Sequence, residues 1–170
     1  MTSPETTPTT KSGISFFGPP VEAPQLHETD MMSMPEFDPE ANDQFMEWAL
    51  SGGHVVKVLY REGEMSLVWS WFGPNYVLPR HSHSADCLYF VVSGEARLGN
   101  RVVPAGAGFF VPAGAPYAYA AGPEGIQILE FRGATSFDMK ITEGLPRWDK
   151  IVETVRDNSE TWREQASTHV

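Results

Sequence analysis

The sequence predicts an all-β domain, a sandwich or barrel of short strands, with a short helix before it and a longer one after it. Three observations carry this expectation. Apolar segments of three to eight residues recur at close spacing between Gly53 and Arg132. Turn chemistry separates them, at Gly73-Pro74-Asn75, Ser93-Gly94, Gly99-Asn100, Ala113-Gly114 and Gly122-Pro123. The 14 prolines and 15 glycines are spread along the chain, which suits turns between strands better than a helix bundle.

Taken in order, residues 1–13 are rich in Thr and Pro and have the composition of a disordered tail. Residues 14–53 form an N-terminal arm, rich in Pro and Met, that ends in a short helix. Asp38 is its N-cap, Pro39 its first residue, Phe45, Met46, Trp48 and Ala49 its apolar side, and Gly52-Gly53 its stop. Residues 54–132 make the barrel. Its strands fall at 55–60, 65–72, 76–78, 87–92, 96–98, 101–103, 108–111, 117–120 and 126–132. In the second of these, Leu67, Trp69 and Trp71 alternate with Ser66 and Ser70. Residues 133–170 return to helix, where Trp148, Ile151, Val152, Val155 and Trp162 share one face that packs on the outside of the barrel.

Composition narrows the partners. Twelve Lys and Arg stand against 22 Asp and Glu, for a net charge of −10, which disfavours nucleic acid and anionic membranes. No apolar run reaches the roughly 18–20 residues that span a bilayer, and the N-terminal residues lack a signal-peptide core. A single cysteine, Cys87, forms no internal disulfide and fits a reducing compartment. The expectation is an acidic cytoplasmic protein. The arm and the amphipathic C-terminal helix offer apolar surface for a homodimer.

His81-Ser82-His83 is the main candidate for chemistry. Residues two apart on a strand project to one face, so both imidazoles enter the same space, a partial site for Fe²⁺, Zn²⁺, Ni²⁺, Mn²⁺ or Cu²⁺. The stretch from Asn75 to Gly99, N-Y-V-L-P-R-H-S-H-S-A-D-C-L-Y-F-V-V-S-G-E-A-R-L-G, resembles the first motif of the cupin family, G-x5-H-x-H-x3,4-E-x6-G. Asn75 takes the place of the first glycine, His81 and His83 match the histidines, and Gly94 matches the closing glycine. Gly106, Pro112 and Gly114 resemble the second motif, G-x5-P-x-G-x2-H-x3-N. The resemblance covers residues 54–132 and implies a double-stranded β-helix (jelly-roll) barrel with a metal in it.

Two of the family's four usual ligands are replaced. Cys87 stands at the glutamate and Tyr117 at the third histidine, with Ala121 at the asparagine. Strand parity turns Cys87, Tyr89 and Val91 to the same side as the histidines. Cys87 is either a thiolate ligand or an inert buried thiol. Tyr117 is a ligand, a general acid/base or a structural residue, and Tyr119 shares its face. Asp86 points away. Tyr89, Val91, Trp69 and Gln127 are candidates to line the substrate cavity.

Two functions follow from the resemblance. The first is a metal-dependent enzyme, with Fe²⁺ favoured at His81 and His83 and Cys87 or Tyr117 completing the shell. Tyr117 and Tyr119 would serve as its proton-handling groups. It would act by oxygenase-type or lyase/isomerase chemistry on a modest organic substrate, an aromatic one among the candidates. The second is a metal-free ligand-binding barrel without catalytic activity.

Overall fold

A computed structural model describes residues 13–169. The tail expected over 1–13 lies, but for Gly13, outside the described residues. Three 3-10 turns mark the arm, at Pro20–Glu22, Leu26–Glu28 and Pro39–Ala41, and the last runs into helix α1, Asn42–Ala49. Strands β1 (His54–Glu62), β2 (Met65–Phe72), β3 (Val77–Ser82), β4 (Cys87–Leu98), β5 (Arg101–Pro104), β6 (Gly108–Val111), β7 (Tyr117–Arg132) and β8 (Lys140–Ile141) follow. Helix α2, Leu145–Ala166, closes the chain. The architecture is all-β, as the strand pattern predicts, and it is the jelly-roll that the motif resemblance implies, with helices before and after it.

Strands β4 and β7 organise the sheet because each is long and bent. The second half of β7, from Ile126 to Arg132, lies between β2 and the start of β4, while Tyr117 to Ala120 pairs with β3. Both strands change register at glycines. Gly94 has φ +72° and Gly125 φ +77°. A Cβ on Gly94 would lie 2.1 Å from the carbonyl oxygen of Gly125, so the two backbones touch where the sheet curls. Asn75 is the one described non-glycine residue with positive φ, at 58°, consistent with its place at the motif's first glycine.

The bend in β7 reverses its parity. Before it, Tyr119 and Ala121 face the core; after it, Ile126, Ile128, Glu130 and Arg132 do. Their antiparallel partners on β2 are Phe72, Ser70, Val68 and Ser66. The serines of β2 therefore face inward, and Trp69 and Trp71 face outward. There they are covered by Val55 and by Ala166 at the end of α2, and His169 packs on both indoles at 5.7 and 5.0 Å. Both faces of β2 are buried, so its alternation of serine and tryptophan is not an inside–outside pattern.

The helices extend the core at one end of the barrel. Trp148, Ile151, Val155 and Trp162 join Phe45, Trp48, Phe72, Tyr76 and Tyr119 in one buried cluster. The Trp162 indole donates to the Pro74 carbonyl at 2.9 Å, and the Trp48 indole to the Val77 carbonyl at 2.9 Å. The apolar face of α2 thus packs on the barrel, as its spacing predicts, and little of it remains for a contact between subunits. The arm runs beside the segment 137–141. Phe137 donates to the Met31 carbonyl, and the Met31 side chain is buried with Val58, Val68 and Phe137.

His54 shows how this helix–barrel seam responds to acid. It stacks on Trp48 at 6.1 Å, and its Nδ1 shares a 2.9 Å hydrogen bond with the Tyr76 hydroxyl. Burial, with a small contribution from His27, lowers its pKa to about 4 from the ordinary 6.5. Folding therefore favours the neutral ring, and the unfolded chain binds more protons as pH falls from 6.5 to about 4. Across that window the wild type should lose about 2–3 kcal/mol more than H54Q. Urea unfolding of both proteins at pH 7 and pH 4 tests this; equal losses would refute it.

Candidate functional site

A bulge in β3 sets the first histidine. Leu78 pairs with Tyr119, yet His81 pairs with Tyr117, so one extra residue is accommodated at Pro79-Arg80. Leu78 and His81 consequently face the same interior although they are three residues apart. His83 lies just past the end of β3, and its ring centroid is 4.9 Å from that of His81.

Each imidazole is fixed through Nδ1 by a backbone carbonyl. Nδ1 of His81 donates to the Pro79 oxygen at 2.7 Å, and Nδ1 of His83 to the Asp138 oxygen at 2.6 Å. With the proton on Nδ1, Nε2 carries the lone pair. Burial, helped by the neighbouring His83, lowers the His81 pKa to about 4, and burial followed by Arg132 lowers that of His83. Both rings are neutral at physiological pH, the state in which an imidazole binds a metal.

Beyond the histidines the interior is lined by aromatic rings. Tyr117 lies 4.4 Å from His81, and its hydroxyl is hydrogen-bonded to that of Tyr89. Tyr89 stacks on Phe109 at 4.6 Å, and Tyr119 stacks with Tyr117 at 6.3 Å. Val91 is fully buried in the same cluster. Burial, reinforced by Glu130, raises the pKa of all three tyrosines, which therefore keep their protons. They can donate a proton or a hydrogen bond but do not act as resident bases.

Cys87 faces inward from the start of β4, opposite Arg132 on β7 and Val111 on β6. Burial pushes its thiol up to about 12 despite the neighbouring Arg132, so it rests as a neutral thiol. Asp86 turns away, and its carboxylate accepts from the Ala113 amide at 2.7 Å.

Trp69 and Gln127 are not brought to the histidines. They lie on the outward face of β2 and β7, where Gln127 pairs with Trp71 and Trp69 with Leu129. The reason is the parity change at Gly125, which turns Gln127 out and Glu130 and Arg132 in. These two charges are the site residues that sequence reading missed. An acid and a base two apart at a strand end is a visible signal, but their facing depends on a bend that composition does not reveal.

Glu130 and Arg132 form a buried, ionised pair. Arg132 Nη2 donates to Glu130 Oε2 at 2.5 Å, and the Ser70 hydroxyl donates to Oε1 at 2.8 Å. Burial raises the Glu130 pKa, but Arg132 and Ser70 together outweigh it and hold the carboxyl below its usual value. The Arg132 guanidinium lies 4.0 Å over the Phe137 ring, and that ring meets His83 edge-on at 5.1 Å.

As a metal centre the residues fit in part. Two neutral imidazoles with Nδ1 anchored by carbonyls have the outer-shell arrangement of metal-binding histidines. Among the described residues, however, no three His, Cys, Asp or Glu side chains group closely enough to hold an ion. Cys87 is protonated, Glu130 is engaged by Arg132, and the Tyr117 hydroxyl is engaged by Tyr89.

No protein-family model and no curated protein matches the chain. Solved structures similar to it include an RmlC-like cupin from Shewanella frigidimarina, 25% identical, covering 49% of this chain and 78% of that one, with TM-score 0.45. KdgF from Halomonas sp. is 23% identical over 48% of this chain and 81% of its own, with TM-score 0.42. Oxalate decarboxylase from Bacillus subtilis is 18% identical over 50% of this chain and 27% of its own, with TM-score 0.46. Each likeness covers half of this chain or less, and the chemistry is argued from this chain's own residues.

The buried pair is a stability liability once one member is removed. Glu130→Gln leaves the Arg132 charge uncompensated and should cost about 3–5 kcal/mol in urea unfolding. The double variant Glu130→Leu, Arg132→Met should recover a large part of that loss. A double variant no more stable than Glu130→Gln alone would contradict this account.

Proposed function

We propose that this cupin-type barrel is a small-molecule enzyme whose centre is His81 and His83, holding a divalent metal through the two Nε2 atoms. The observation that carries the reading is the carbonyl anchoring of both Nδ1 atoms, which presets the tautomer needed for ligation. Fe²⁺ is favoured, with Zn²⁺, Ni²⁺, Mn²⁺ and Cu²⁺ as alternatives, and the remaining positions are left to water and substrate. Such an ion supplies Lewis acidity to a substrate oxygen, or redox capacity if it is iron, the respective bases of lyase/isomerase and oxygenase chemistry.

The chain's own residues supply the rest. Tyr117, beside His81, keeps its proton and donates it to a developing negative charge, with Tyr89 stabilising the phenolate left behind. Tyr119, whose hydroxyl has no partner among the described residues, is the second proton-bearing group. Tyr89 and Val91 wall the site and exclude water, which favours a modest, partly aromatic substrate. Cys87 enters as a ligand only if the metal itself displaces the thiol proton.

A metal-free ligand-binding barrel is the second reading. It is favoured by the engagement of Glu130 and Tyr117 with other residues and by the neutral Cys87. Metal analysis separates the two. Wild type purified without chelator should carry close to one divalent ion per chain, and the His81→Ala, His83→Ala double variant almost none. Equal, near-zero metal in both would sink the first reading.

A cytoplasmic homodimer completes the proposal. No helix among the described residues is long and apolar enough to cross a membrane. The outer face of β4, β6 and β7 exposes Leu88, Phe90, Phe110 and Phe131, with Val92 next along β4. At 39–58% exposure these five side chains leave roughly 450 Å² of apolar surface, within the upper range for a monomer. A second copy matches that face, since two apolar patches meet with less of the repulsion that a chain of net charge −10 imposes elsewhere. Light scattering should give a dimer mass for wild type and a monomer mass for Phe90→Glu; a monomeric wild type at micromolar concentration would contradict it.

A further inference from the structure

Among the described residues, three buried side-chain atoms lack a hydrogen-bond partner: Tyr119 Oη, Arg132 Nε and Arg132 Nη1. Two of the three sit on one guanidinium, on a side chain that is 1% exposed. A guanidinium carries five N–H donors and no acceptor. Glu130 engages Nη2 alone, which leaves the hydrogens of Nε and Nη1 unmet. Each buried donor without a partner is unfavourable by an amount comparable to a lost hydrogen bond, so this arrangement calls for an acceptor.

Position and charge say what kind of acceptor. The Phe137 ring spans from Arg132, at 4.0 Å, to His83, at 5.1 Å, so the guanidinium and the imidazole flank one aromatic wall. Taken alone, Glu130 and Arg132 cancel. A divalent ion on the two imidazoles would leave this desolvated region with two excess positive charges. A neutral ligand fills the empty donors without relieving that excess. A carboxylate does both, and charge-assisted bonds from arginine to a carboxylate are the stronger kind.

We propose that Arg132 is the anion receptor of this site, holding the carboxylate of an organic acid beside His83 through the N–H groups that Glu130 leaves free. The charge balance rests on the metal-assisted reading above; the unmet donors do not. Phe137 covers the flat face of the guanidinium.

Calorimetric titration of the metal-loaded protein with acetate, succinate and benzoate, each against its neutral amide, tests the assignment. At least one acid should bind tenfold or more tightly than its amide, and R132K should lose that preference. In the wild type, the Arg132 Nε–H resonance should shift on adding the acid and stay in place with the amide. This second readout holds even if R132K fails to fold. The assignment is overturned if no acid binds at millimolar concentration, if acid and amide bind alike, or if the Nε–H resonance does not respond. The His81→Ala, His83→Ala protein separates the two readings. An acid preference that persists there without metal leaves Arg132 as receptor and shows that the metal does not select the acid. A metal-loaded wild type indifferent to acids keeps the metal and removes the receptor.

Discussion

The contact between Gly94 and the Gly125 carbonyl is the constraint on which the interior depends. Two long strands bend at one point, and the space between their backbones admits no side chain. Because β7 changes parity there, its first half delivers tyrosines to the core and its second half delivers Ile126, Ile128, Glu130 and Arg132. Were β7 straight, Gln127 and Leu129 would face inward and the ion pair would face solvent. A local steric requirement at two glycines thus decides which chemistry the barrel encloses.

The enclosed chemistry is uniform in one respect: burial sets each group to its neutral form unless a specific partner opposes it. The histidines lose their protons, while Cys87 and the three tyrosines keep theirs. Glu130 and Arg132 alone stay ionised, because each supplies what water would have supplied to the other. The bulge at Pro79-Arg80 places His81 in this environment, and the Pro79 carbonyl that the bulge exposes fixes its tautomer. Position and protonation state of this residue share one local cause.

The ion pair also carries a tension. Replacing such a pair with apolar residues is often neutral or stabilising, so its presence is weak evidence of a purely structural role. The incomplete pairing of Arg132 sharpens the point, since a group kept only for stability would have its donors met. Phe137 covers it and is in turn tied to Met31 of the arm, so the N-terminal arm contributes to the wall of the site. Residues far outside the two histidines in sequence therefore shape what reaches them.

The sequence by itself determined the strand-and-turn architecture, the two helices and the apolar face of α2. These depend on spacing and on turn residues, which act locally and can be read locally. The inward facing of Cys87, Tyr89 and Val91 was legible for the same reason, because β4 keeps its alternation there; His81, His83 and Tyr117 were found by their places in the two motifs, and the bulge at Pro79-Arg80 sets His81 opposite Tyr117. The facing of Trp69, Gln127, Glu130 and Arg132 was decided by the tertiary structure. Trp69 is outward because it pairs with Leu129 on the outer side of β7, and Gln127 is outward because β7 bends against β4 at Gly125. Strand alternation has a period of two, so one accommodated residue exchanges inside for outside, and only contacts between distant segments fix where that residue lies.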